Sequence, residues 1–223
     1  MELTLLLVTG FCWTLVYLQM IYLGFKEKTY GMPFIALALN FSWEALHSYL
    51  GLKTNFPSVQ TCIILVWLLL DFFIICTYLL YGKKYFPKQT SKEYFIPWTI
   101  IIFIMSFVIQ YFFVVEFNEL GKVYSAFIQN LIMSVLFIIM LVQRTDTKGQ
   151  SLFIAINKWV GTLAPTILYG IIWGCKLVLI LGIFCSIFDI LYIHFLDNVM
   201  NSSAADKNTS ITNLKFHNNK KNK

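Results

Sequence analysis

Residues 59–81 read VQTCIILVWLLLDFFIICTYLLY, an apolar run broken by one charged residue, Asp71, near its middle. A helix rises about 1.5 Å per residue, so the roughly 30 Å of bilayer hydrocarbon takes about 20 apolar residues to cross. This stretch is long enough to span. It also carries a carboxyl to a depth where one costs about 3 kcal/mol even on lenient insertion scales.

Working outward, six more runs meet the length requirement: Thr4–Gly24, Pro33–Leu52, Phe95–Val115, Val123–Val142, Leu152–Trp173 and Cys175–Leu196. The links between them are short and hold turn residues, as in 26–31 and 82–85, while the last two runs meet near Gly174. The composition of the 223-residue chain agrees: 58% is hydrophobic and only 13% charged. Mean hydropathy is +0.71. A soluble domain carries about 25% charged residues, so that class is excluded. Aromatics at 17%, with Gly and Pro at only 11 and 5, exclude collagenous, disordered and disulfide-stapled chains. The expectation is an all-α polytopic membrane protein, a seven-transmembrane-helix bundle over residues 1–196. A disordered Asn-, Ser- and Lys-rich tail over 197–223 follows it. The start, Met1-Glu2-Leu3, lacks a basic n-region, so the first run is read as a retained helix. Five cysteines, all inside apolar runs and without metal-type spacing, read as small packing residues.

The net charge of +6 does not point to nucleic acid, because the basic residues form no groove-binding stripe. Thirteen Lys and Arg fall on one side of the seven runs, against Lys53, Lys122 and Lys176 on the other. The positive-inside rule then puts the N-terminus outside and the C-terminus in the cytoplasm. Lys158 falls inside the sixth run near its basic end, where its stem can snorkel to the interface.

Three of the eleven acids, Glu44, Asp71 and Asp189, lie deep in runs. From the basic-side ends they sit roughly 16, 15 and 10 Å in, so all three can approach one level. With Lys158 read as snorkelling, no mid-membrane cation neutralises them. Burial and mutual proximity then favour a carboxyl that keeps its proton, which is a proton donor. Helical spacing gives each acid its neighbours: Asn40, Trp43 and His47 around Glu44; Trp67, Ile74 and Tyr78 with Asp71; Cys185, Ser186 and Tyr192 with Asp189. Further stripes, such as Trp13 with Tyr17, and Thr162, Pro165, Thr166 and Tyr169, would complete an aromatic cavity suited to a hydrophobic ligand. Trp13, Trp98 and Trp173 read equally well as interfacial anchors. Asn130, Gln110 and Gln129 read as hydrogen-bond glue between helices, and His47 as a hydrogen-bond partner rather than a metal ligand.

The run 40–44, Asn-Phe-Ser-Trp-Glu, with Trp67–Asp71 and Asp189, resembles the integral-membrane terpene cyclases of fungal meroterpenoid and indole-diterpene pathways and their bacterial relatives. The resemblance covers roughly Leu3–Leu196. It implies that Glu44 and Asp189 initiate cyclisation by acid, with Asp71 at a further acidic position. It also implies that the substrate is a small lipophilic prenylated molecule reached from membrane lipid. On that view either Glu44 or Asp189 donates the proton within a shared chamber. Trp43, Trp67, Tyr78 and Tyr192, with Asn40 and His47, bind substrate and line the cation path. Asp71 or a held water takes the last proton. No Asp-rich run is present to hold magnesium against a diphosphate, so no metal or cofactor is expected. Neither a nucleic-acid nor an obligate protein partner is expected. The competing reading is a small proton-coupled carrier built from two three-helix repeats, with Asp71 and Asp189 at matching positions.

Overall fold

A computed structural model of the chain describes residues 1–54, 58–144 and 146–221, with side chains through Ser202. Every regular element among the described residues is helical. Seven long helices follow in order: α1 (Glu2–Glu27), α2 (Phe34–Leu52), α3 (Val59–Tyr81), α4 (Phe95–Phe117), α5 (Glu119–Gln143), α6 (Leu152–Pro165) and α7 (Lys176–Lys221). Among the described residues six segments are long and apolar enough to cross a membrane, and of the seven long helices α2 is the exception. Asn40, Glu44 and His47 lower its apolarity, and α2 is also where the polar centre of the molecule lies. The helix least able to face lipid is the one that carries this buried polar group.

Packing makes that arrangement tolerable. Helix α2 is flanked by α3, α4 and α5, so most of its circumference is covered. Helix α1 packs on α3 and α6, and α7 closes the bundle against α5 and α6. In contrast, α4 buries only a stripe at helical spacing: Phe95, Thr99, Ile102, Ser106 and Gln110. Its other faces expose Ile100, Ile101, Ile104, Phe107, Val108 and Phe112, an apolar surface for lipid tails. The α4–α5 turn passes through Asn118 at φ 50°. It depends on Gly121, where a Cβ would collide with the Phe113 carbonyl.

After Pro165, which has no N–H to donate, α6 widens into a π-helical turn over Thr166–Ile172. Gly174 at φ 72° then reverses the chain into α7, at the boundary expected from sequence. At the basic end, the Arg144 guanidinium stands 4.3 Å from the centres of both the Tyr30 and Tyr85 rings. It donates to Tyr30 O at 3.0 Å and to Lys148 O at 3.1 Å, tying three loops together. Helix α7 continues to Lys221 through the segment expected as a tail. Side chains beyond Ser202, and so most of that segment, lie outside the described residues. The five cysteines are free; Cys12 and Cys185 are buried packing residues as expected, whereas Cys62 faces outward.

Candidate active site

Glu44 and Asp71 are fully buried and come together from α2 and α3. Asn40, one turn before Glu44, joins them: its Nδ2 donates to Glu44 Oε1 and to Asp71 Oδ2, both at 2.9 Å. Tyr17 on α1 donates its hydroxyl to Glu44 Oε1 at 2.7 Å and accepts from Asn40 Nδ2 at 2.6 Å. The two carboxyls thus accept from one and the same amide nitrogen, which holds them side by side. Counted as carboxylates, Glu44 Oε2 and Asp71 Oδ1 are buried acceptors without a donor. A carboxyl that keeps its proton is itself a donor, which a carboxylate is not.

The Asn40 amide is itself oriented from behind. Gln129 on α5 donates to Asn40 Oδ1 at 3.3 Å, and Gln110 on α4 donates to Gln129 Oε1 at 2.7 Å. With its oxygen occupied, Asn40 must present its NH2 to the acids. The amide chain expected as interhelical glue thus has a direction and ends on the carboxyl pair.

A hollow of about 110 Å³ adjoins Glu44. Its wall is aromatic on several sides (Trp13, Tyr17, Trp43, Trp67, Phe127 and Tyr169), with Asn40, Gln129 and Asn130 as polar points. Gly161 lets α6 approach α1 closely enough to seat Trp13, since a Cβ there would lie 2.8 Å from the indole. Trp67 is fixed by donating to Thr14 Oγ1 at 3.1 Å, and Trp43 by donating to Lys122 O at 3.0 Å. The lining residues run from the middle of the bundle towards the end where α1, α3 and α5 begin, opposite the Arg144 clamp. Trp13, read equally as anchor or wall, is wall, while Trp98 and Trp173 are exposed. Among the described residues no group of three His, Cys, Asp or Glu side chains is arranged to hold a metal ion.

Several expected site residues lie elsewhere. Asp189 is buried but outside the hollow, and Lys158 Nζ stands 2.6 Å from its Oδ1. Lys158 does not snorkel: it is fully buried, donates also to Ser134 Oγ at 2.7 Å, and sits 5.9 Å from the centre of the Trp13 ring. The expectation of three unneutralised acids around one chamber therefore fails at Asp189, because α6 turns Lys158 inward. Asp71 adjoins Glu44 without lining the hollow. Tyr78 lies two turns beyond Asp71 towards the basic end, stacked on Phe34 at 4.0 Å and bonded to Thr99. Tyr192 packs on Phe137 and donates to Gln150 Oε1 at 3.0 Å. Both tyrosines share a helix face with an acid, but neither Asp71 nor Asp189 lines the hollow, and the tyrosines beside them do not line it either. His47 packs against Trp43 with ring centres 4.8 Å apart; its Nε2 has no partner among the described residues, against the hydrogen-bonded role expected.

Comparison with known proteins brings these features together. Residues 1–196 match the family described as Pyr4-like transmembrane terpene cyclases. The Pyr4-family terpene cyclase mfmH of Annulohypoxylon moriforme is 23% identical over 168 residues, 74% of this chain and 68% of the relative. The terpene cyclase pyr4 of Aspergillus fumigatus is 24% identical over 159 residues, 70% of this chain and 65% of the relative. The terpene cyclase janB of Penicillium janthinellum is 24% identical over 155 residues, 69% and 63% respectively. The chain thus spans about two thirds of the length of these relatives. The matches support a membrane-bound terpene cyclase and not the proton-coupled carrier. With the family match running from the first helix to Leu196, the chain is an integral membrane protein that belongs to the Pyr4-like transmembrane terpene cyclases.

Proposed function

We propose that the protein cyclises a lipophilic prenylated substrate, alkene or terminal epoxide, by proton transfer from the Glu44–Asp71 pair. The observation that carries this reading is the pair itself: two buried carboxyls bridged by the Asn40 amide, with no ion pair to either among the described residues, of which only Glu44 lines the aromatic hollow. Glu44 delivers the proton, while Asp71 holds and returns it. Protonation of an alkene carbon, or of an epoxide oxygen with cleavage of its C–O bond, leaves a carbocation on the chain. Internal double bonds attack it in turn, forming C–C bonds. The last cation then loses a proton to a base on the wall, a role open to the pair once it has given up its own. The product is an isomer of the substrate.

The rings of Trp13, Trp43, Trp67 and Tyr169 face the path of the cation, each contributing roughly 0.5–2 kcal/mol of attraction. Keeping the hollow dry prevents capture of the cation by water. Asp189, ion-paired to Lys158, acts on this scheme through the packing of Trp13 rather than as a donor.

In the membrane, all seven helices cross, with α2 shielded by its neighbours. The N-terminus faces outward and the segment from 197 lies in the cytoplasm, taking no part in the reaction. A glycosylation reporter fused to either end tests this; modification of a C-terminal reporter would reverse the orientation. The function is tested by incubating membranes that contain the protein with an epoxyfarnesyl phenol in the presence of a chelator. Formation of a cyclic isomer by wild type and not by Glu44→Gln is expected. Equal turnover by both would remove Glu44 as the acid.

A further inference from the structure

A second hollow at the non-basic end of the bundle meets the first at Lys122, which lines both. Three observations converge there. Lys122 Nζ makes no hydrogen bond or ion pair among the described residues; the centre of the Trp43 ring lies 6.0 Å away, and Glu119 is the acid that acts on it. His47, 5% exposed, lines the second hollow, and its Nε2 is buried without a partner. Trp43 connects the two hollows: it packs on His47, donates to Lys122 O and forms part of the wall beside Glu44. A half-buried ammonium and an unsatisfied imidazole nitrogen on either side of one indole are costly to leave unused. Glu119 stands at the same rim, yet no ion pair forms between it and Lys122.

We infer that Lys122 and His47 form a head-group site, which takes an acidic oxygen of the substrate (a phenolate, enolate or carboxylate) and fixes the prenyl chain with its tail at Glu44. This inference rests on the cyclase reading for the identity of the tail but not for the chemistry of the mouth. A hydrocarbon lacks any group for Lys122 to bind and would enter in either direction. An acidic head sets one direction, because the Glu44 end offers carboxyls that repel an anion. Direction then determines which double bond meets the acid and therefore which ring forms first.

The test uses two tritiated probes that cannot cyclise: a 4-hydroxybenzoate bearing a saturated fifteen-carbon isoprenoid chain, and benzene bearing the same chain. Equilibrium binding is measured on purified protein in lipid nanodiscs. Wild type is expected to bind the acidic probe at least about tenfold more tightly, by the usual worth of a charge-assisted contact. Lys122→Met should erase that preference without weakening the hydrocarbon probe, and Lys122→Arg should restore most of it. His47→Leu should reduce it by roughly threefold, the worth of one weaker hydrogen bond. If Lys122→Met leaves the acidic probe's affinity where it was, or weakens both probes alike, the head-group site is overturned. If discrimination follows Lys122 while no prenylated phenol is ever cyclised, the site stands and the cyclase reading falls.

Discussion

Two buried acid clusters lie in the middle of this bundle, built on opposite principles. At Asp189 a carboxylate meets an ammonium at 2.6 Å, and the cluster is closed off from the hollow. At Glu44 and Asp71 two carboxyls meet each other, an amide and a phenol, with no cation, and one of them lines the hollow. A cation turns a buried acid into a strut, because the ion pair fixes both partners and leaves no proton to give. Withholding the cation favours a carboxyl that keeps its proton and can give it away. The same residue type thus becomes a support or a reagent according to what the neighbouring helix presents.

The sharpest way to break this comparison is to remove the proton. Glu44→Gln keeps shape and hydrogen-bonding capacity but cannot donate to carbon, and turnover should fall by about 10³-fold or more. Elution from size exclusion should be unchanged, since an amide in that position also removes a buried unsatisfied carboxyl. Removing the cation at the other cluster should produce the reverse pattern. Lys158→Met strands Asp189 and should lower stability by about 3 kcal/mol, read as a drop in melting temperature. The charge-free double variant Lys158→Met with Asp189→Leu should recover most of that loss and cyclise better than either single change. If Asp189→Asn alone abolished turnover with stability intact, and the double variant stayed inactive, Asp189 would have to be counted as a reagent. Asp71→Asn should act more mildly than Glu44→Gln, by about 10²-fold. An amide at 71 donates to Glu44 and so favours its carboxylate, but the donor group itself remains.

How much of this could be read beforehand follows the same division. The spans and their acids were legible because length and hydropathy are local properties: Val59–Tyr81 emerged with the bounds expected. The pairing of Glu44 with Asp71 was legible in outline, since depth along two neighbouring helices is arithmetic. Lys158 was misread because its position along α6 allowed a snorkel, and only its rotation about the helix axis decides otherwise. A signal for that rotation was present: Lys158, Thr162 and Thr166 recur every four residues, a polar stripe that lipid would not accept. Tyr78 and Tyr192 failed for the converse reason. Each shares a face with an acid, but that acid itself does not line the hollow, and the tyrosine goes into stacking and loop contacts. The direction of the Gln110–Gln129–Asn40 chain could not be read at all, because it depends on three helices meeting at one level.

That chain allows the finest test of the comparison. Gln129→Leu removes the donor that occupies Asn40 Oδ1. The Asn40 amide is then free to turn over, and in half of its orientations an oxygen faces the carboxyls. A lone pair in that position competes for the proton the pair must give to substrate. Turnover should fall about three- to fivefold, the worth of one hydrogen bond. Gln129→Glu offers an acceptor where Asn40 needs a donor and should be worse than Gln129→Leu, although it differs from the native side chain by less volume. If the order were reversed, with the smaller perturbation in shape doing less harm, Gln129 would matter for packing alone. The acid pair would then be poised by its two carboxyls without help from the amide chain behind Asn40.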